Sequence, residues 1–265
     1  MPTQAAELSD NINKFYDAAM FTPRLIAYYG GSDYTNFGYW TSETQNARQA
    51  CDELMSRLLG FIPQKQGRIL DVACGKGETT RYLTRHYAAE QITAINISER
   101  QIERGRENVP GADFRVMDAT ALQFPDASFD AVICVEAAFH FNTREKFIQE
   151  AWRVLKPGGY LVLSDILVTP TAEQQHERRV SHNHVENLEA YRELYTRNGF
   201  ALDSLVDATE NSWRGHFRDI VRSAHEALLN RQVTVEAMQQ ALNIYYERAG
   251  YIDYYLLVGA HKTAR

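Results

Sequence analysis

Residues 69–77 read Ile-Leu-Asp-Val-Ala-Cys-Gly-Lys-Gly, an apolar run that ends in an acid and breaks into a glycine turn. This describes a buried parallel strand feeding a tight turn into a helix, a place where a nucleotide-like cofactor can lie against bare backbone. Gly75 and Gly77 lack a Cβ, so the chain can take positive φ and admit a ligand closely. Asp71 stands at the strand end, able to accept a hydrogen bond from an amine or hydroxyl. The spacing excludes pyrophosphate cofactors. A dinucleotide turn wants a third glycine where Thr80 stands, and a phosphate loop wants Ser or Thr after its Gly-Lys, where Gly77 stands. A cofactor with a nucleoside and no phosphates fits.

Downstream, strand-like and helix-like pieces alternate. Residues 92–97, 114–117, 131–135 and 160–164 read as strands. Residues 144–155 carry apolar positions at helical spacing, and Lys156-Pro157-Gly158-Gly159 stops that helix. Leu188, Tyr191, Leu194 and Tyr195 mark another helix, closed by Asn198-Gly199. Near-continuous apolar strands separated by helices imply an α/β, doubly wound, mostly parallel sheet covered on both faces. Three segments stand outside the alternation. These are residues 1–60, with a stripe at Ala47, Ala50, Cys51, Leu54 and Leu58; a polar connection at 165–186; and one long helical stretch at about 211–248. In an open sheet ligands bind beyond the carboxyl ends of the strands, so these segments are expected to roof that crevice as a lid. The expected organisation is one domain over 1–265, with a cofactor-binding core at 61–170 and the remaining core strands and substrate lid at 171–265.

At 265 residues, the chain has ordinary hydrophobic and charged fractions of 45% and 23%. A formal net charge of −6 argues against a nucleic-acid partner, and no apolar run is long enough to span a bilayer. Residues 1–10 lack the apolar core of a signal peptide, and the three cysteines show no CxxC spacing. A reduced, cytoplasmic protein acting on a small molecule, without membrane or nucleic-acid partner, is the expectation.

The succession of Ile69 to Gly77, Asn96-Ile97-Ser98-Glu99-Arg100-Gln101, Met117-Asp118-Ala119, Phe129-Asp130 and Leu155-Lys156-Pro157-Gly158-Gly159 resembles the class I S-adenosylmethionine-dependent methyltransferases. It is closest in kind to their small-molecule branch, which tailors bacterial natural products. Weaker resemblance lies in Phe15-Tyr16-Asp17 and in residues 34–40. The resemblance implies a Rossmann-like seven-stranded sheet and S-adenosylmethionine as cofactor, with S-adenosylhomocysteine as product. It places the methionine moiety at Asp71, Gly75 and Gly77, with Glu136 contacting it. Asp118 would hold the adenine amino group beside Ala119, and Gln101 would reach the ribose. Tyr16 and Tyr34 would close over the cofactor. Where many members carry an acid binding both ribose hydroxyls, this chain has Asn96, whose amide accepts one hydrogen bond and donates another.

Methyl transfer from a sulfonium requires in-line alignment and, for a hydroxyl acceptor, removal of a proton. His140, just past the fourth strand, is suited to that proton near neutral pH. Related sugar O-methyltransferases use a histidine and an aspartate at corresponding places, which implies a partner role for Asp165. That aspartate would hold the imidazole or contact substrate. His176, His182 and His184 with Glu186 read as a solvated lid rather than a metal site, and Arg178-Arg179 as a solvated pair. Most of Trp213, Phe217, Tyr245, Tyr246 and Tyr251 should pack between helices, some lining an apolar pocket. The expected reaction is O-methylation of a polyketide, peptide or glycoside hydroxyl. The alternatives are a nitrogen or carbon acceptor, a lipid acceptor, or a non-catalytic cofactor-binding module.

Overall fold

The structure, a computed structural model, describes residues 4–174 and 183–263. His176, Arg178, Arg179 and His182 lie outside the described residues. Seven strands form one sheet: β1 (Ile69–Val72), β2 (Ile92–Asn96), β3 (Asp113–Val116), β4 (Phe129–Val135), β5 (Leu155–Val168), β6 (Phe200–Asp207) and β7 (Ile252–Lys262). Their order is β3-β2-β1-β4-β5-β7-β6, parallel except where β7 runs antiparallel between β5 and β6. The helices are α1 (Gln4–Ala19), α2 (Pro23–Tyr28), α3 (Ala47–Gly60), α4 (Glu78–Leu83) and α5 (Glu99–Asn108), then α6 (Arg144–Val154), α7 (Pro170–Gln174), α8 (Leu188–Thr196), α9 (Trp213–Leu229) and α10 (Val235–Ala249).

The all-apolar strands are explained by burial on both sides. Ile69, Ala131 and Ile133 face a core shared with the stripe of α3 and with Leu83. Leu70, Val72, Val132 and Cys134 face Phe147, Ile148, Ala151 and Val154 of α6 and Tyr191 and Tyr195 of α8. All three cysteines are buried free thiols. Asn46 caps α3 by accepting a hydrogen bond from the Gln49 N–H at 3.0 Å, which starts the helix where its apolar stripe begins.

Two element boundaries differ from the sequence reading. Helix α6 passes directly into β5 at Leu155, and residues 156–159 lie between the register pairs Phe129↔Leu155 and Ala131↔Tyr160 as an irregularity in the strand. The stretch at 211–248 is two helices, because Asn230 closes α9, Arg231 turns left-handed at φ 59° and Thr234 caps α10. The crossover from β1 outward in both directions leaves a crevice at the carboxyl ends of β1 and β4. A cavity of about 350 Å³ occupies it.

Candidate active site

The floor of the cavity is the turn after β1. Ala73, Gly75 and Gly77 have φ of 58°, 54° and 83°, so the chain turns through the left-handed region three times in five residues. Gly75 lines the cavity. A Cβ there would project into it, with only Gln101 Oε1 within 4 Å, at 3.9 Å. Gly77 does not line the cavity, which corrects the expectation for it: it precedes α4, and a Cβ would lie 2.8 Å from Gly105 Cα. Close packing of α4 on α5 requires that glycine. Asp71 sits below the turn, also off the cavity wall. Its Oδ2 accepts hydrogen bonds from the Thr79 and Thr80 hydroxyls at 2.8 and 2.7 Å. Its Oδ1 is buried with no hydrogen-bond partner among the described residues, and burial pushes the carboxyl up to about 6 against the pull of those hydroxyls.

One wall comes from β2 and β3. Asn96, Gln101, Asp118 and Ala119 all line the cavity. Asn96 Nδ2 donates to Gln101 Oε1 at 2.8 Å, and Asp118 Oδ1 accepts from the Thr120 amide and hydroxyl at 2.7 and 2.8 Å. The opposite wall follows β4. Glu136 is held left-handed at φ 53°, a costly conformation for a non-glycine and one concentrated at functional sites. Its Oε1 accepts from the Phe37 amide at 2.8 Å and the Tyr255 hydroxyl at 2.5 Å, and burial raises its carboxyl to about 8. His140 ends the short helical turn Ala138–His140, and its Nε2 lies 2.6 Å from the Tyr16 hydroxyl. Tyr34 is buried on the wall with its hydroxyl donating to Asp52 at 2.8 Å. Phe15, Phe37, Phe139, Phe141, Ile166 and Trp213 add apolar lining to the cavity.

Against known proteins, a family model described as a methyltransferase domain matches residues 70–163. The 27-O-demethylrifamycin SV methyltransferase of Amycolatopsis mediterranei is 35% identical over 222 residues, covering 77% of this chain and 79% of its own. The chain belongs to the class I S-adenosylmethionine-dependent methyltransferases.

Solved structures agree on the fold. The [4+2]-cyclase SpnF superposes with a TM-score of 0.73 at 24% identity over 97% of each chain. Geranyl diphosphate C-methyltransferase from Streptomyces coelicolor A3(2), solved with S-adenosylhomocysteine, gives 0.70 at 15% identity over 99% of this chain and 100% of its own. The cofactor of this methyltransferase is S-adenosylmethionine. The residues present suit it: an unpartnered buried carboxylate oxygen below the turn, a cradle at Gly75 that any Cβ would fill, and amide and carboxylate acceptors along the β2–β3 wall.

Asp165 is where the expectation fails. It is fully buried, its Oδ2 2.7 Å from Arg144 Nε, and it also accepts from the Ile166 amide at 2.8 Å and the Tyr191 hydroxyl at 3.1 Å. It pairs with Arg144 and Tyr191 and does not line the cavity. Arg144 in turn donates to the Ile166 and Asn183 carbonyls, and Asn183 Nδ2 donates to the Ala138 and Phe139 carbonyls at 3.1 and 3.2 Å. Asp165 therefore anchors, through Arg144 and Asn183, the turn that carries His140. His184 lies at a small neighbouring hollow with Arg144 and Asn183.

Sequence reasoning also missed the contacts that fasten the N-terminal segment. Lys76 Nζ is buried 2.8 Å from Asp33 and donates to the Met20 carbonyl at 2.7 Å. Arg104 and Asn108 also donate to Asp33, and these partners hold its carboxyl below its usual range despite the opposing effect of burial. A lysine inside a glycine turn is a signal of a buried partner, but its sequence does not say which acid.

Proposed function

We propose that this methyltransferase methylates a hydroxyl of an apolar small molecule of the natural-product type, with His140 taking the proton. When bound, the cofactor supplies an electrophilic methyl on sulfur. In this reading Gly75 and Glu136 meet the amino-acid end, with the buried Asp71 carboxylate acting from below the turn. Asn96 and Gln101 hold the ribose, and Asp118 accepts from the adenine amino group beside Ala119. Tyr16 and Tyr34 cover the cofactor from the N-terminal side. Residues 1–60 and about 211–248 serve as the lid over a core at 61–170. The observation that carries the reading is the contact of His140 Nε2 with the Tyr16 hydroxyl at 2.6 Å. A hydroxyl reaches that nitrogen at the cavity wall, and an acceptor hydroxyl displacing the phenol would meet the same base. The apolar ring of Phe15, Phe139, Phe141 and Trp213 suits a hydrophobic acceptor. The name of the rifamycin relative, a methyltransferase of an O-demethyl compound, favours oxygen.

The test is methylation of a panel of phenols, alcohols, amines and enolisable carbons by wild type and His140→Ala. General-base loss should lower turnover of hydroxyl acceptors by roughly 10²–10⁴-fold, with S-adenosylhomocysteine affinity little changed. Near wild-type turnover in the variant would transfer the reading to nitrogen, because a neutral amine attacks through its lone pair and sheds its proton to solvent after transfer.

A further inference from the structure

The β2–β3 wall contains a chain of amides with a fixed direction. Asn96 Nδ2 donates to Gln101 Oε1 at 2.8 Å, and Gln101 Nε2 donates to Asp17 Oδ1 at 2.7 Å. A carboxylate is an acceptor only, whereas an amide has one accepting oxygen and one donating nitrogen. Asp17 therefore compels Gln101 to turn its nitrogen outward, and Gln101 then compels Asn96 to offer its nitrogen inward. Asn96 Oδ1 is the end of the chain left for the cavity. Turning Gln101 over would oppose its oxygen to Asp17 and lose both hydrogen bonds, and turning Asn96 over would oppose its oxygen to Gln101 Oε1 and lose one. Asp17 itself is not on the cavity wall. It is fixed by the Ser98 hydroxyl, which donates to its two oxygens at 2.8 and 3.0 Å, and Arg100 donates to its carbonyl at 3.1 Å. The Arg100 guanidinium also lies 3.8 Å over the Phe21 ring, so the end of α1 is seated on the start of α5.

We infer that Asp17, on α1, is the positioning residue of the ribose wall, setting the Asn96 amide oxygen towards the cavity through Gln101. The inference rests on the proposed reading of Asn96 and Gln101 as the ribose contacts. It explains how a neutral side chain at the end of β2 presents a hydrogen-bond acceptor there. It also ties cofactor affinity to the seating of α1.

Calorimetric titration of the full-length protein with S-adenosylhomocysteine separates the possibilities. Asn96→Ala should weaken binding; unchanged affinity would remove the ribose reading and the inference together. If Asn96→Ala weakens binding, Asp17→Ala should weaken it about tenfold, the scale of one mis-set hydrogen bond to a polar ligand group. The deciding comparison is made in the Asn96→Asp background. There the carboxylate at position 96 faces Gln101 Oε1 for as long as Asp17 holds the Gln101 nitrogen. Removing Asp17 frees Gln101 to turn over, so Asp17→Ala should leave affinity unchanged or raise it. An equal loss in both backgrounds would reduce Asp17 to a tether of α1 and overturn the inference. So would unchanged affinity for Asp17→Ala in the wild-type background while Asn96→Ala weakens binding.

Discussion

At the scale of single residues, two acids near the cavity are placed in opposite ways to the surface carboxylates around them. Glu136 is half-buried and Asp71 buried, neither with a cationic partner among the described residues, and desolvation raises them to about 8 and about 6. A folded-state value above the unfolded one gives stability that is complete below the unfolded value and lost as pH rises through the folded value. For Glu136 that window runs from its ordinary 4.5 to about 8. Glu136→Gln keeps an oxygen for the Phe37 amide and the Tyr255 hydroxyl and removes the titration. Denaturant unfolding of cofactor-free protein at pH 5.5, 7 and 8.5 should therefore show wild type falling behind the variant. The gap should grow by about 1 kcal/mol per pH unit, the linkage for one proton. A constant gap would mean that Glu136 is already ionised at pH 5.5. A bound sulfonium and ammonium would favour the anion, so cofactor binding at pH 7 should release protons in wild type and fewer in Glu136→Gln.

At the scale of elements, the Ala138–His140 turn after β4, the start of α6 and the end of β5 are bound into one unit by Asp165, Arg144 and Asn183. Arg144 is the first residue of α6, where the helix dipole disfavours a cation, and it is buried. Removing one partner of a buried pair strands the other charge. Arg144→Met should lower the unfolding free energy by about 3–5 kcal/mol, and Arg144→Met with Asp165→Leu should recover most of it. Neither variant can hold the Ala138–His140 turn, so turnover should stay low in both, measured alongside urea unfolding. Full activity in the double variant would separate the anchor from the catalytic turn. The same unit marks the limit of what sequence reveals. Strands β1, β2 and β4 are readable because burial on both faces leaves a near-continuous apolar signature, and residues that follow the β4 end, Glu136 and His140, line the cavity. A strand end does not fix the direction of the side chain that follows it, which is why Asp165 read as a rim residue. An arginine in the first turn of α6 was the visible sign of its partner. The break at 230–234 escaped notice because a cap is local while the apolar spacing continues on both sides of it.

At the scale of the molecule, the cavity is closed by segments from both ends of the chain. Phe15, Tyr16 and residues 33–37 meet Trp213, Arg248 and Tyr251 around its mouth. The closing contacts are few and specific. The Phe37 amide donates to Glu136, Lys76 pairs with Asp33, and the Tyr28 hydroxyl donates to Asp219 at 3.0 Å beside His216, whose burial depresses it to about 3. Because these partners are 40 or more residues apart, and one is a main-chain N–H, no local pattern announces them. Segments held this way open at lower free energy than the sheet they cover. Hydrogen exchange at S-adenosylhomocysteine near 100 times its dissociation constant measures the coupling, since binding then stabilises every cofactor-holding state by about 2.7 kcal/mol. If opening of α1 and residues 33–37 releases the cofactor, their amides should slow by roughly 100-fold, the full binding factor. The outward amides of α8, which open without disturbing the cavity, should not change. Unaltered exchange in α1 alongside protected core strands would mean that the sheet ends alone retain the cofactor. The N-terminal contacts would then serve only the fold.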